Sequence, residues 1–411
     1  MRILHIADLH LGQTLNGWGR EREHSVWLDG IVDTLVSEEI DVLLIAGDVF
    51  DGINPSGESQ RLLYRFLRNA NTRRPTLKII ITSGNHDPSG RLEAPSDLFE
   101  VLDIHVFATL RRDGDALRPD AHFVALHEAD GTLAAHVCAI PFLRASDLPG
   151  LSFSSEKGAG SPVVTAARRL HEAFGMHAEA ICDGKPVLAM GHLHCRGAKE
   201  DTGETADRGI IIGGEHALPA DVYPPIFSYV ALGHIHRAQT LDEGRIRYCG
   251  SPFPLSASET GYRHGVTVID INGTEITHKH LEMPRPVQFF RFPDQGAIRF
   301  EDFEARLGDI NPDEYDDPEM YPFIYVNLEA TGPASVLLQD AERLIAQAPV
   351  RLAGLRVTRI REEAEDQTIE LKSLDETTPE DLFLPAFLKA NKIEAEERHI
   401  IAFREALTGN D

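Results

Sequence analysis

Cysteine, positive charge and long apolar stretches are all scarce in this 411-residue sequence. Its four cysteines are Cys138, Cys182, Cys195 and Cys249. Because they lack CxxC spacing, they argue against a disulfide framework or a zinc knuckle and are expected to be reduced thiols of the core. Apolar runs fall well short of the roughly 20 residues that span a membrane. The N-terminal segment carries Asp8 where a signal peptide would be apolar, so we expect a cytoplasmic protein.

Basic residues are too few to form a broad cationic surface. The chain has 40 Lys and Arg against 65 Asp and Glu, a net charge of -25, and residues 283–411 alone carry 14 basic and 27 acidic side chains. Phosphate contacts are made mainly by lysine and arginine, so this balance argues against a protein that holds nucleic acid through its own basic face. A nucleic-acid substrate would need metal ions or a partner protein. The hydrophobic content of 42% is that of an ordinary globular chain.

Five short apolar segments are each followed by polar or glycine-bearing residues. They indicate buried strands at 2–7, 41–46, 78–83, 186–190 and 227–232. Helical stretches between them, such as 23–39 and 60–69, give the alternation of a layered α/β domain. In such sheets ligands bind beyond the carboxyl ends of the strands. We therefore expect the five loops to form one composite site.

The pattern changes after Pro284 and Pro286. A smaller unit follows, with strands predicted at 287–292, 321–328 and 350–360 and helices at 301–307 and 335–348. Two amphipathic helices are predicted near the C-terminus, one after Pro379 and one at 394–407. Their apolar faces could pack within the chain or against a partner, and we favour a partner because two short helices make little core alone. The prediction is a division into residues 1–282, 283–365 and 366–411.

The residues that follow the five strands are of metal-binding types. They are Asp8-Leu9-His10, Gly47-Asp48, Gly84-Asn85-His86-Asp87, Gly191-His192 and Gly233-His234-Ile235-His236. Carboxylates can bridge two cations, an asparagine carbonyl is a neutral ligand, and imidazoles suit Mn, Fe or Zn. Each motif alone is common in polar loops. Their ordered occurrence at five strand ends predicts a metal site.

This order of motifs resembles that of the calcineurin-like metallophosphoesterases over about residues 1–282. The resemblance implies a layered α/β/β/α sandwich with two divalent metal ions. It implies one metal held by Asp8, His10, Asp48 and His236, and a second held by Asp48, Asn85, His192 and His234. Paired cations of this kind lower the pKa of a shared water and neutralise charge on phosphoryl oxygens.

Two further residues near these motifs are candidates for catalysis. His86 is better placed as a catalytic acid than as a ligand, because it could protonate the leaving oxygen or stabilise the transition state. Asp51 could orient His86 by accepting its other N–H, or it could be a solvent-facing turn residue. His194 follows His192 at ligand spacing, but the family pattern uses only the first histidine there. We interpret His194 as a neighbour of the ligands.

Longer stretches are similar to the SbcD family, the nuclease subunits of bacterial SbcCD complexes. The similar stretches include residues 46–51, 139–144, 231–239 and 248–255. This resemblance implies a Mn²⁺-dependent exonuclease on double-stranded DNA ends, and endonuclease at hairpins, in DNA repair and recombination. It also implies a small α/β capping domain, C-terminal helices that dock on an SbcC-like coiled-coil ATPase, and a homodimer. The alternative within the same fold is a small-molecule phosphodiesterase or nucleotidase, and a scaffold with structural metals is a third possibility.

Several residues are candidates for contacts with DNA or with a second copy of the chain. The candidate DNA contacts are Arg20, Arg22, Arg237 and Ser251. Solvated surface arginines and a plain turn at Ser251 are the competing explanations. In the family, helices near residues 60–69 and 96–102 build the homodimer, whereas burial within the chain's own domain would explain their apolar residues equally.

Overall fold

A computed structural model of the chain describes residues 1–148, 161–199, 217–330, 333–359, 383–384, 386–388, 395 and 397–407. The described residues belong to two compact units, Met1–Thr358 and Arg359–Asp411. In this part of the chain, no helix combines the length and the apolar character needed to cross a membrane.

The first unit alternates strands and helices. Its strands are β1 (Arg2–Ile6), β2 (Thr14–Leu15), β3 (Trp18–Gly19), β4 (Val42–Ala46), β5 (Lys78–Thr82), β6 (Ile104–Phe107), β7 (Arg112–Asp113), β8 (Ala116–Leu117), β9 (Phe123–His127), β10 (Leu133–Ala139), β11 (Val187–His192), β12 (Phe227–Gly233), β13 (Gln239–Leu241), β14 (Ile246–Tyr248), β15 (Gly265–Asn272), β16 (Glu275–Glu282), β17 (Phe289–Phe292), β18 (Phe323–Glu329) and β19 (Arg351–Thr358). Its helices are α1 (Glu21–Ser37), α2 (Gly57–Arg73), α3 (Ser89–Glu93), α4 (Ser96–Glu100), α5 (Pro162–Ile181), α6 (Phe300–Gly308) and α7 (Ala334–Ile345).

Two six-stranded sheets form the centre of this unit. The first has the order β16-β15-β1-β4-β5-β6, and the second has the order β13-β14-β12-β11-β10-β9. Strands β1, β4, β5 and β6 run parallel, and so do β10, β11, β12 and β14. The five predicted strands, which are confirmed as β1, β4, β5, β11 and β12, lie side by side within these two parallel groups.

Three apolar cores fix the order of the layers. Successive strand residues point to opposite faces of a sheet. Leu4 and Ile6 of β1 therefore share a core with α1 and α2, whereas Ile3 shares a core with the second sheet. The outer face of the second sheet packs against Leu170 and Phe174 of α5. The resulting sequence of helix, sheet, sheet and helix confirms the predicted α/β/β/α sandwich.

A parallel three-stranded sheet, β17-β18-β19, follows the sandwich. Helices α6 and α7 cover it, with Phe303 and Ile345 packed against β18. It contacts the sandwich through Phe323 of β18, whose ring centroid lies 5.3 Å from the guanidinium carbon of Arg20. Arg351 of β19, in the same small sheet, lies over the same ring at 4.0 Å. The predicted strands and helices of this region are confirmed, and the domain boundaries stay a prediction.

The second unit contains helix α8 (Glu397–Leu407). The ring of Phe383 stacks on that of Phe403 with a centroid distance of 4.1 Å, and Phe387 contacts His399 at 4.6 Å. Leu388 is 42% exposed. The predicted linker and the start of the first C-terminal helix, between residues 366 and 382, lie outside the described residues.

The cysteine prediction is confirmed in its main point. All four cysteines are free thiols, and three of them are buried, whereas Cys182 is half-buried. Burial raises the pKa of the Cys138 thiol well above its ordinary value. The buried thiols are therefore protonated, unreactive parts of the core.

Candidate active site

The five polar loops meet at one end of the sandwich. Loops after β1, β4 and β5 come from the first sheet, and loops after β11 and β12 come from the second. Three loop residues, Asp8, His10 and Asp48, have left-handed backbone angles with φ of 54°, 45° and 48°. Such angles cost about 1 to 3 kcal/mol for residues other than glycine and concentrate at functional sites. The loops are thus bent to aim their side chains at a common point.

Glycine allows two of these loops to approach their neighbours closely. A side chain at Gly84 would collide with the carboxylate and main-chain nitrogen of Asp48. A side chain at Gly233 would collide with the carbonyl oxygen of Ala46 and with the ring of His192. These positions require glycine because the backbone itself forms part of the wall of the site.

Asp48 lies at the centre of the cluster. Its Oδ2 is 3.2 Å from Nε2 of His192 and 3.5 Å from Nε2 of His10. Its Oδ1 accepts the main-chain N–H of His86 at 2.9 Å. Burial alone would raise the pKa of Asp48, but the adjacent histidines, His192 first, lower it well below its usual range. The carboxylate is therefore ionised.

The second buried carboxylate is held in a different way. Oδ1 of Asp8 accepts the main-chain N–H of His234 at 2.7 Å, which ties the first sheet to the second. Its Oδ2 is buried without a hydrogen-bond partner. Burial raises the pKa of Asp8 against the opposing effect of His192. A cation at Oδ2 would satisfy this atom and restore the charged form.

The histidine tautomers are set by neighbouring acceptors. Nδ1 of His192 donates to the carbonyl of Ala46 at 3.0 Å, which directs Nε2 to Asp48 and to Oδ1 of Asn85, 3.1 Å away. His234 Nδ1 lies 3.0 Å from the same Asn85 oxygen. Burial alone would lower the pKa of His192, but Asp48 raises it to about 9. The surrounding oxygens thus favour a positive charge at this point, carried by a proton or by a metal ion.

Two imidazoles are paired with carboxylates behind them. Nδ1 of His10 is 3.1 Å from Oδ1 of Asp51, and Nδ1 of His236 is 3.1 Å from Oε1 of Glu259. Because an ionised carboxylate only accepts, each Nδ1 carries the hydrogen, and in the neutral ring each Nε2 then keeps its lone pair. A carboxylate behind an imidazole is the usual arrangement around a metal-binding histidine.

The residues present fit divalent metal ions. Three groups have ligand atoms within 4.8 Å of one another: Asp8, His10 and His236; His10, Asp48 and His86; and Asp8, Asp48 and His192. Within the described residues, Asp8 Oδ2 and His10 Nε2 are buried without hydrogen-bond partners. Buried polar atoms are normally satisfied, so these atoms point to cations as their natural partners. The candidate ligands from the sequence are thus brought together, and their assignment to two separate ions stays a prediction.

His86 faces the cluster but is oriented by the main chain. Its Nδ1 donates to the carbonyl oxygen of Asp51 at 2.7 Å. The expected contact with Asp51 thus exists, but the acceptor is the carbonyl group, because the carboxylate of Asp51 is paired with His10. His194 lies beside His234, with ring centroids 6.3 Å apart, and belongs to none of the three ligand groups.

A cavity of about 440 Å³ opens at the cluster. It is lined by His86 and His236, by Tyr262, and by Ala353 of β19. Arg237 also lines it, with the guanidinium 5.7 Å from the ring centroid of Tyr262. Arg237 is exposed, and its contact with DNA phosphate stays a prediction.

Two of the four candidate DNA contacts, Arg20 and Ser251, are buried in this structure. Arg20 is only 1% exposed, because Glu23 pairs with it and the carbonyl of Pro254 accepts from it at 2.7 Å. Ser251 is fully buried and donates to the carbonyl of Phe253. Arg22 is exposed and lies 3.4 Å from Asp317, so a contact with DNA would compete with this ion pair.

Two buried acids near the site were missed by the sequence analysis. Asp87 accepts main-chain N–H groups from Gly84, Val49 and Phe50, which locks the third loop onto the second. Burial raises the pKa of Asp87 to about 6, helped by Asp48. Its place in the Gly84-Asn85-His86-Asp87 motif was a usable signal. Glu259 lies 23 residues after His236 in a turn without a motif, so no local pattern indicated it.

Comparison with known proteins gives the class. A family model described as calcineurin-like phosphoesterase matches residues 1–238, and one described as type 5 capsule protein repressor C-terminal domain matches residues 299–390. The chain therefore belongs to the calcineurin-like phosphoesterases, as its fold and its polar loops also indicate. Members of this class are enzymes that hydrolyse phosphoester bonds with divalent metal ions.

Relatives over nearly the whole length define the narrower family. The chain is 46% identical to the SbcD component of the SbcCD nuclease of Rhodobacter capsulatus over 387 residues, which cover 94% of each chain. It is 31% identical to the SbcD component of the Escherichia coli K12 nuclease, covering 93% of this chain and 92% of that one. The corresponding protein of Bacillus subtilis is 33% identical, covering 68% and 69%. The chain therefore belongs to the SbcD family.

Proposed function

We propose that this chain is the nuclease component of an SbcCD-type complex and hydrolyses phosphodiester bonds of DNA. The substrates are double-stranded DNA ends, cut as an exonuclease, and hairpins, cut as an endonuclease, in DNA repair and recombination. The observation that carries the proposal is the meeting of ligand-type side chains from five loops around the buried carboxylate of Asp48. The near full-length similarity to SbcD proteins supports DNA over a small molecule as substrate.

The proposed ligands form two sets. Asp8, His10, Asp48 and His236 would hold one metal ion, and Asp48, Asn85, His192 and His234 would hold the other. Bound together, the two ions would lower the pKa of a water molecule and neutralise charge that develops on the phosphoryl oxygens. Mixed oxygen and imidazole ligands admit Mn, Fe or Zn, and the choice of Mn²⁺ rests on the resemblance to the SbcD family.

His86 would supply proton chemistry from the protein side. Because Nδ1 of His86 donates to the carbonyl of Asp51, the ring presents Nε2 toward the cavity. A proton on Nε2 can pass to the leaving oxygen or stabilise charge on the phosphoryl group. Asp51 fixes both histidines of this side, His86 through its carbonyl and His10 through its carboxylate. Its catalytic contribution is therefore positional.

The proposed complex has further parts. Residues 283–365 form the capping domain, and residues 366–411 form a linker and helices that bind an SbcC-like coiled-coil ATPase. The match of residues 299–390 to a C-terminal family model supports a distinct role for this region. Exposed Leu384, Leu388 and Ile401 give the second unit apolar side chains that a partner helix would cover. An ATPase partner would also compensate for the scarcity of basic residues by holding part of the duplex.

Cleavage by a His86→Ala variant tests this proposal. Wild type and variant are incubated with Mn²⁺ and end-labelled duplex or hairpin DNA, with and without the co-purified ATPase. Wild type is expected to cleave both substrates, and the variant to lose about 10²- to 10⁴-fold in rate, the range of general acid catalysis. Its metal content should persist, because His86 is in neither ligand set.

His127→Ala is the matched control. His127 is exposed at the end of β9 and should leave cleavage unchanged. Unchanged cleavage in His86→Ala would contradict the assigned role. Robust hydrolysis of nucleotides or cyclic nucleotides without any DNA cleavage would favour the small-molecule alternative.

A further inference from the structure

Residues 255–262 form a strap beside the metal-ligand cluster that the proposed chemistry does not use. The strap contains the short 3-10 helix Ala257–Gly261. Leu255, Ser256, Ser258, Glu259 and Tyr262 line the active-site cavity. The strap lies between the last ligand loop and the start of β17 in the chain, so it can link the two regions.

Glu259 is fixed from three directions. Its Oε1 lies 3.1 Å from Nδ1 of His236 and accepts from the hydroxyl of Ser256 at 3.1 Å. Its Oε2 accepts the main-chain N–H of Leu255 at 2.8 Å. The residue is only 8% exposed. A buried carboxylate with its acceptor sites occupied in this way has one available orientation, and that orientation faces His236.

Two arginines hold the strap from the other side. Arg285 donates through Nη2 to the carbonyls of Thr260 and Tyr262, at 2.7 and 2.9 Å. Arg291 donates through Nη1 to the carbonyl of Ala257 at 3.1 Å. Both arginines belong to residues 283–365, the region proposed as the capping domain. The main chain of the strap is thus anchored at both ends of the turn that carries Glu259.

We propose that Glu259 is a positioning residue for His236, and that Arg285 and Arg291 hold the strap so that Glu259 reaches the imidazole. This inference deepens the proposed function, because it rests on His236 being a metal ligand. A carboxylate behind a metal-binding imidazole fixes the ring and raises its basicity. The capping region would thereby set the geometry of one ligand of one metal ion.

Glu259→Gln tests the positioning role of Glu259 most directly. An amide has one acceptor oxygen, whereas Glu259 accepts from His236 and from Leu255 at different oxygens. If the amide oxygen faces Leu255, the NH₂ group faces Nδ1 of His236 and favours the tautomer whose Nε2 is protonated and cannot bind metal. If the amide oxygen faces His236 instead, the NH₂ group faces the main-chain N–H of Leu255, and two donors meet without an acceptor. Either orientation breaks one of the two contacts at little change in volume.

Mn²⁺ binding is the readout. Wild type should bind two Mn²⁺ per chain, and Glu259→Gln should bind one of them about 10- to 100-fold more weakly, the usual loss when such a carboxylate is removed. At two Mn²⁺ per chain, the electron paramagnetic resonance spectrum should show a coupled pair in wild type and single bound ions in Glu259→Gln. Glu282→Gln is the control, since Glu282 is an exposed glutamate paired with Arg263.

A second pair of variants tests the anchoring. Arg285→Ala should weaken the same Mn²⁺ site, whereas Arg263→Ala should not, because Arg263 is exposed and pairs with Glu282 on the surface. Ser256→Ala removes one donor to Glu259 and should give a smaller loss. If Glu259→Gln fails to fold, as judged by circular dichroism, Arg285→Ala and Ser256→Ala decide the question by the same titration.

The outcomes separate this inference from the proposed function. Wild type that binds two Mn²⁺ ions while Glu259→Gln, Arg285→Ala and Ser256→Ala bind both unchanged would overturn the inference alone. Wild type that fails to bind two Mn²⁺ ions would overturn the proposed metal site, and the inference with it. Selective loss of one ion in Glu259→Gln and Arg285→Ala supports both.

Discussion

At the scale of the residue, buried histidines of this protein have two opposite environments. His192 lies beside the carboxylate of Asp48, which raises its pKa to about 9 although burial alone would lower it. His171 of α5 has no carboxylate beside it among the described residues, and burial lowers its pKa to about 4. Its Nδ1 donates to the carbonyl of Ala167 at 2.7 Å, and its Nε2 has no hydrogen-bond partner. The first environment suits a cation, and the second only suits a neutral ring.

His171 makes the free energy of unfolding depend on pH. The folded pKa of about 4 lies below the ordinary value of 6.5, so the unfolded chain binds the proton more readily. Stability is therefore lost as the pH falls from 6.5 to 4, by at most about 3 kcal/mol from this group. His171→Leu should lose less free energy of unfolding than wild type over that range in urea denaturation. His127→Leu, at an exposed position, should follow wild type, and equal slopes for His171→Leu and wild type would contradict the assignment.

At the scale of the element, the sequence pattern was sufficient to predict helix α2. The predicted range of 60–69 lies inside the observed Gly57–Arg73, which begins after Ser56 because the Ser56 hydroxyl accepts the N–H of Ser59. Leu62 and Phe66 are buried in the core of their own sandwich. The alternative of burial within the domain is therefore correct for these residues. The outer side of α4 differs, because Leu98 is 74% exposed.

The exposed apolar residues of α4 and its C-terminal end are the candidate interface for the homodimer that the resemblance to the SbcD family implies. Leu98 and Val101 are 74% and 84% exposed, and Tyr64 of α2 contacts Phe99 beside them. The double variant Leu98→Glu and Val101→Glu should reduce the mass measured by light scattering from dimer to monomer, because burying two charges without partners is unfavourable. Met176→Glu, at a 72% exposed position on α5, should remain dimeric. A dimer that persists in the double variant would place the interface elsewhere.

Arg20 and Glu259 were not interpreted correctly from the sequence, and the physical reason is the same for both. The sequence alone predicts that Arg20 is a surface cation. In the structure it donates a hydrogen bond to the carbonyl of Pro254, which is more than 200 residues away in the chain. The sequence alone predicts that Glu259 is part of a polar turn. Its proposed role depends on its contact with His236 and on the arginines after residue 283 that hold the turn. The strand-end motifs were interpretable because each combines an apolar run with the residues that directly follow it. Long-range pairing leaves no such local pattern.

At the scale of the whole molecule, two sheets contribute to one site. The first sheet supplies Asp8 and Asp48, the second supplies His192 and His234, and the main-chain bond from His234 to Asp8 joins them. Because neither sheet alone holds a complete set of the proposed ligands, the proposed metal binding depends on the packed sandwich. The site also places its cations within a chain of net charge -25, where they would offset repulsion of DNA phosphates. The proposed ATPase partner would further offset the repulsion between the acidic chain and the DNA phosphates.

The central claim is that Asp48 joins two metal ions in a site that cleaves DNA. The most direct test measures the metal content and the duplex cleavage of the same preparations of wild type, Asp48→Asn and the control Asp113→Asn in Mn²⁺. A neutral amide is a poor bridge between cations, so Asp48→Asn is expected to lose at least one Mn²⁺ per chain and at least about 100-fold in cleavage rate. Asp113 is exposed on the β7–β8 hairpin, and its variant should match wild type. Full metal content and full cleavage in Asp48→Asn would contradict the account.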